Sequence, residues 1–139
     1  MAAWNDNIIA EFRQNDGKVG GPFEGAHLLL LTTLGAKSGK QRVSPMMYFP
    51  DGDRLIVVAS KGGAPENPAW YHNLVANPEV HVEQSTESGI VAYDATASVL
   101  PRDERDVLFA RIAARAPGFG TYQGKTDRII PLVALTRKN

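Results

Sequence analysis

Apolar residues recur along this chain with two periods, and the changes between them mark its elements. Trp4, Ile8, Ile9 and Phe12 follow helical spacing, with Asn5 or Asp6 as a cap and Gly17 as a stop, which predicts a helix over about residues 4–15. A loose chain end is the competing reading for this segment. Leu28 to Leu34 is an unbroken apolar and Thr-containing run between turn residues and reads as a buried strand. A second strand is expected from Gln41 to Phe49, and Pro50-Asp51-Gly52-Asp53 then turns into a third, Leu55 to Ala59, completing an antiparallel meander. Asn67 and Pro68 offer an N-cap and first position for a short helix carrying Trp70, Tyr71, Asn73 and Leu74, stopped at Asn77-Pro78. Val80 to Glu83 and Gly89 to Val99 read as strands joined by the polar turn Ser85 to Ser88. Pro101, Asp103 and Glu104 open a helix whose inner face is read as Val107, Leu108, Arg111 and Ile112, ending at Ala116-Pro117-Gly118. Ile129 to Leu135 is the last strand, with Pro131 favouring an edge or a strand start. Six strands with two or three helices, mostly hairpin-joined, predict an α+β fold built on a small, mostly antiparallel β-barrel.

Composition narrows what such a barrel does. At 139 residues the chain is read as one domain, too short for separate cofactor and substrate domains. Fifteen basic and fifteen acidic side chains cancel, so no global field draws nucleic acid, which is excluded as a partner. No cysteine is present, which removes disulfides and thiolate chemistry, and the three histidines show no metal-ligand spacing. No metal is therefore expected. The start, Met1-Ala2-Ala3-Trp4-Asn5-Asp6, lacks the order of a signal peptide and no run is long enough to span a bilayer, so the expected location is the cytoplasm.

Two basic turns carry the candidate chemistry. In Ala59-Ser60-Lys61-Gly62-Gly63, the glycines let backbone N–H groups approach a ligand, Lys61 adds charge, and a helix start follows. Lys37-Ser38-Gly39-Lys40-Gln41-Arg42 forms the other, and alternate strands of a meander run the same way, which would set both turns on one rim. Lys37, Arg42 and Lys61 there suit a phosphorylated small molecule. Trp70 reads first as a core residue, whereas Tyr71 and Asn73 are candidates to hydrogen-bond a ligand, and Tyr122 in the glycine-flanked segment Gly118 to Gly124 reads as part of a covering loop. His72 and His81 have no triad partners by spacing, no serine sits in a G-x-S-x-G elbow, and no G-x-G-x-x-G follows a strand. Hydrolase and Rossmann-type readings are weak on those grounds.

Three ordered segments, Leu30 to Pro45, Ala59 to Leu74 and Thr126 to Leu132, resemble the deazaflavin-dependent nitroreductase family. The resemblance implies a split β-barrel with coenzyme F420 as cofactor. It assigns Lys37, Arg42, Ser60, Lys61, Gly62 and Gly63 to the cofactor's phosphate and polyglutamate tail, and Ser44, Pro45, Met46, Ala59, Trp70 and Asn73 to the deazaflavin slot. The implied activity is hydride transfer from reduced F420 to a quinone-like or nitroaromatic acceptor. Where the family's nitro-prodrug reductase has pocket tyrosines, this chain has Met47, Ala116 and Phe119, and Tyr122 alone keeps a hydroxyl and is the candidate catalytic group. A pocket of Trp4, Met47, Phe119 and Tyr122 better suits planar hydrophobic quinones. An amphipathic first helix would allow contact with a membrane surface, although its charges are not strongly basic. Monomer and homodimer both remain open, and a deazaflavin or flavin carrier without turnover is the alternative function.

Overall fold

The computed structural model describes residues 2–20 and 27–138, with side chains from Asp6 onward. Its elements are α1 (Ala2–Gln14), β1 (Leu28–Leu34), β2 (Gln41–Met47), β3 (Phe49–Asp51), β4 (Arg54–Val58), α2 (Ala69–Ala76), β5 (Glu79–Thr86), β6 (Gly89–Val99), α3 (Arg102–Arg115), α4 (Pro117–Gly124) and β7 (Leu132–Arg137). The seven strands form one sheet in the order β2-β1-β5-β6-β7-β4-β3, every neighbouring pair antiparallel. The sheet curls until β2 approaches β4.

Continuous apolar strands arise because their two faces are buried against different partners. Leu29 and Leu31 of β1, Leu55 and Val57 of β4, and Val133 and Leu135 of β7 point into the barrel with Val80, Val82, Ala95 and Ala97. The alternate residues point outward under helices. Leu28 and Leu30 pack with Ile8 and Phe12 of α1, while Ile56, Val58, Leu132 and Ala134 pack with Leu108, Phe109 and Ile112 of α3. Strands β5 and β6 lack such a cover, and their outward positions are polar, as at His81, Asp94, Thr96 and Ser98.

Several sequence expectations change. The segment from residue 41 to 59 holds three strands, making seven among the described residues: β2 pairs with β1, the chain breaks at Tyr48, and β3 turns at Gly52-Asp53 into β4. No meander forms, because β2 and β3 lie at opposite edges of the sheet and β4 pairs with β3 and β7 instead of β2. Strand β7 is therefore central, and Pro131 is accommodated because it immediately precedes the strand. The buried face of α3 is Arg105, Leu108, Phe109 and Ile112, whereas Val107 is 55% exposed. The segment expected as a loop at 118–124 is helix α4, with Pro117 in its first turn. Asn67 does not cap α2; Pro68 holds that position, and Asn67 Oδ1 accepts from Arg128 Nη1 at 2.8 Å. Ile8 and Phe12, expected on the apolar face that α1 would turn to a membrane, are buried against the barrel. No described helix is long and apolar enough to cross one.

Candidate functional site

Antiparallel order fixes where the two basic turns lie. Strands β1 and β4 stand four places apart in an alternating sheet and so point the same way, and the turns that follow them, at 35–40 and 59–63, emerge at one end of the barrel. The shared rim expected from a meander is reached by another route, around the sheet through β5, β6 and β7.

At that end lies a cleft of about 920 Å³ bounded by three elements. Asp6, Ile9 and Arg13 of α1 form one wall, Ala69, Trp70, His72 and Asn73 of α2 another, and the 35–38 turn with Gln41, Arg42, Val43 and Ser44 of β2 the remainder. Ile9, Val43, Ala69 and Trp70 make it partly apolar, and Lys37 and Arg42 bring positive charge with no acidic partner among the described residues. This donor set fits an acidic tail attached to a planar ring. Trp70 combines two expectations, packing on the barrel core while lining the cleft.

Asn73 lines this cleft and is also tied to the protein on both sides of its amide. Its Oδ1 accepts from Ala36 N–H at 3.0 Å and its Nδ2 donates to Thr33 Oγ1 at 3.2 Å, so the buried amide holds the 35–40 turn against α2. Both ends of the amide are thus engaged within the protein. Pro45 and Met46 are partly buried on β2, with Met46 packed on the barrel interior.

The second turn is built by left-handed backbone. Lys61, Gly62 and Gly63 have φ of 47°, 64° and 86°, a conformation that costs a non-glycine residue about 1–2 kcal/mol. Gly63 permits close approach: a Cβ there would lie 2.7 Å from the Tyr122 carbonyl oxygen, so α4 rests directly on this turn. Lys61 donates to Glu66 at 2.9 Å, and that hydrogen bond holds the Glu66 carboxyl below its usual range. Lys61, Gly62 and Gly63 do not line the cleft described above, and neither do Ala59 and Ser60, which are buried.

The reason for that burial is Arg128, to which the sequence reading gave no role. Its guanidinium donates to the carbonyls of Ala59, Ser60 and Ala64 and to Asn67 Oδ1, at 2.7–3.2 Å, and burial lowers its pKa. It fixes the segment between β4 and α2. Arg105 supports it indirectly: Arg105 donates to Gln123 Oε1 at 2.7 Å, and Gln123 Nε2 donates to the Arg128 carbonyl at 2.7 Å. Sequence signals existed for both. Arg128 stands inside one of the three recognised segments, and Arg105 falls at the i, i+3, i+4, i+7 spacing of Leu108, Phe109 and Ile112.

The proposed acceptor residues are divided. Phe119 and Tyr122 meet edge to face with centroids 6.0 Å apart, beside Phe49, and pack on the α3-covered core. Met47 packs with the α1 cluster instead. The Trp4 side chain lies outside the described residues.

Comparisons with known proteins bear on the family and the fold. The family model described as F420H(2)-dependent quinone reductase matches residues 4–137. An F420H(2)-dependent quinone reductase of Mycobacterium tuberculosis is 39% identical over 135 residues, covering 93% of this chain and 87% of the relative. A solved F420-H2 dependent reductase is also 39% identical, with a TM-score of 0.66 over 78% of this chain and 92% of its own. A second solved structure, a domain-swapped dimer, is 33% identical with a TM-score of 0.69, covering 96% of this chain and 98% of its own. With the split-barrel architecture and the cationic cleft, these matches establish that the chain belongs to the F420H(2)-dependent quinone reductase family and is an oxidoreductase whose cofactor is coenzyme F420.

Proposed function

We propose that the cleft between α1, α2 and β2 receives the acidic part of coenzyme F420, and that the acceptor reduced is a planar hydrophobic quinone. The observation carrying this reading is the convergence of Lys37 and Arg42, both without acidic partners among the described residues, on one cleft with Trp70 and Ser44. Lys37, Ser38 and Arg42 hold the tail through charge-assisted hydrogen bonds, Ser44 and Trp70 shape the side of the ring, and Asn73 keeps the 35–40 turn in place. When bound, the reduced deazaflavin supplies a hydride. The protein's own work is orientation and exclusion of water.

Ser60, Lys61, Gly62 and Gly63 are proposed to border the cofactor from the second turn, held by Arg128, with Ala59, Pro45 and Met46 behind it. Tyr122 is proposed as the hydroxyl nearest the acceptor, because its backbone rests on Gly63, with Phe119 beside it. Met47 and Trp4 are proposed to complete the acceptor pocket from the α1 side. The dimeric solved relative supports a homodimer, which sedimentation velocity would report as twice the chain mass.

Steady-state oxidation of reduced F420 with menadione and with a nitroaromatic acceptor tests the reading. Turnover is expected with both a higher kcat/KM for menadione and binding of F420 in preference to FMN. Tight cofactor binding with no acceptor-dependent turnover would instead make the chain a carrier.

A further inference from the structure

One cation of the cleft, Arg13, has no part in the assignments above. Arg13 lies on the α1 wall, at the end of a stripe, Asp6, Ile9 and Arg13, whose spacing of three and four residues puts all three on one helix face. The outward side of β1 takes Ile8 and Phe12, so α1 is anchored by one face and bounds the cleft with the next. Arg13 is itself held: Nε donates to Glu83 Oε1 at 3.0 Å and Nη2 to Glu83 Oε2 at 2.8 Å, a bidentate pair that spans from α1 to β5. That fork occupies two of the three guanidinium nitrogens and leaves Nη1, with two N–H donors, on a side chain that is 49% exposed while Glu83 is 16% exposed.

We propose that Arg13 is an anion-binding residue of the cleft, donating through Nη1 to a second negative group of the ligand while Lys37 and Arg42 hold the first. The cleft then grips from two walls, and its ligand is a molecule with at least two separated anionic groups, such as an extended carboxylate-bearing tail. The charges decide between this role and a purely structural one. A bridge made only to fasten α1 would need no place in the cleft wall, and Ile8 and Phe12 already provide that attachment through burial. Asp6, on the same stripe, adds a repulsive charge and so confines the second anionic group to the Arg13 end. Glu83 holds the guanidinium in place and has no contact of its own with the ligand in this scheme.

The inference rests on the cleft being the F420 site, and binding measurements separate the two. Affinities are measured by titration calorimetry for F420 carrying several glutamates and for the deazaflavin riboside, which lacks phosphate and tail. Arg13→Gln is expected to weaken the tailed cofactor about tenfold and the riboside less than about twofold. Arg13→Lys should fall between Arg13→Gln and the parent chain, and the salt dependence of tailed-cofactor binding should flatten in Arg13→Gln. Amide exchange in α1 is followed alongside, and Glu83→Ala removes the same bridge while keeping the guanidinium. Glu83→Ala is expected to stay within about threefold of the parent for the tailed cofactor. Equal losses in Glu83→Ala and Arg13→Gln, equal losses for tailed and tail-less ligands, or unchanged affinity in Arg13→Gln would each overturn the proposal. Failure of the parent chain to prefer the tailed cofactor in a Lys37-dependent way would instead remove the cleft assignment itself.

Discussion

Lys37 and Arg42 differ from Lys61 in the company they keep. The first two meet no acid among the described residues, whereas Lys61 is matched to Glu66 at 2.9 Å on the surface. A tail phosphate or carboxylate therefore gains the full attraction of the former pair but must compete with a carboxylate for Lys61. Substituting Lys37 or Arg42 by Ala is expected to weaken F420 binding by about 1.5–3 kcal/mol each. Lys61→Ala should lose less, and Glu66→Gln should tighten binding, because the lysine is then released. Fluorescence titration of the cofactor reads all four variants. If Lys61→Ala costs more than Lys37→Ala, the tail is held mainly by the second turn. The three cations proposed as ligands were legible in the sequence, but the presence or absence of an acid beside each was not, because whether Glu66 reaches Lys61 depends on the path of the intervening turn.

Turns and short helices carry the next level of the argument. Helix α4 was expected as a covering loop on account of its glycines, yet it is helical, with Pro117 in its first turn and the half-buried Phe119 and Tyr122 packed against the α3-covered core. Its seat is Gly63. Gly63→Ala combines a φ of 86° with a Cβ 2.7 Å from a backbone oxygen, and is expected to destabilise by about 2–4 kcal/mol. Its neighbour Gly62 has the same backbone hand and open space around it, so Gly62→Ala should cost only about 1–2 kcal/mol. Urea unfolding of the pair measures the difference. Equal costs would mean that α4 shifts freely away from the turn, leaving Tyr122 unfixed.

Across the whole molecule, the barrel interior and two helix-covered outer patches form three apolar clusters, joined through strands whose alternate residues serve different clusters. Exposed ion pairs decorate this core and give it a modest acid sensitivity. Hydrogen bonds from Lys61 lower the pKa of Glu66, and those from Arg105 and then Arg102 lower that of Asp106. Each carboxyl releases its proton more readily in the folded chain than in the unfolded one. Its contribution is complete above the unfolded-state pKa and is lost as pH falls through the lowered folded value. The thermal midpoint is therefore expected to drop below about pH 4, and Asp106→Asn to reduce that slope while leaving the shape above about pH 5 unchanged. A variant as acid-sensitive as the parent would place the titration elsewhere.

The sequence by itself determined most element types, α4 and the break at Tyr48 excepted, together with the antiparallel character, the basic turns and the three segments that carry the family resemblance. These are local properties, set by side-chain periodicity, turn chemistry and residue order. Tertiary structure decided that the expected strand from Gln41 to Phe49 breaks at Tyr48, which sends β2 to β1 and leaves β4 between β3 and β7, because strand partners are chosen by contacts between distant segments and not by local pattern. It also decided that Asn73 serves the protein's own turn, that Arg128 ties down the segment after β4, and that Arg13 enters the cleft wall. Each of these rests on hydrogen bonds or contacts between residues far apart in the chain, and a polar side chain's partner is set by where the fold brings the two together.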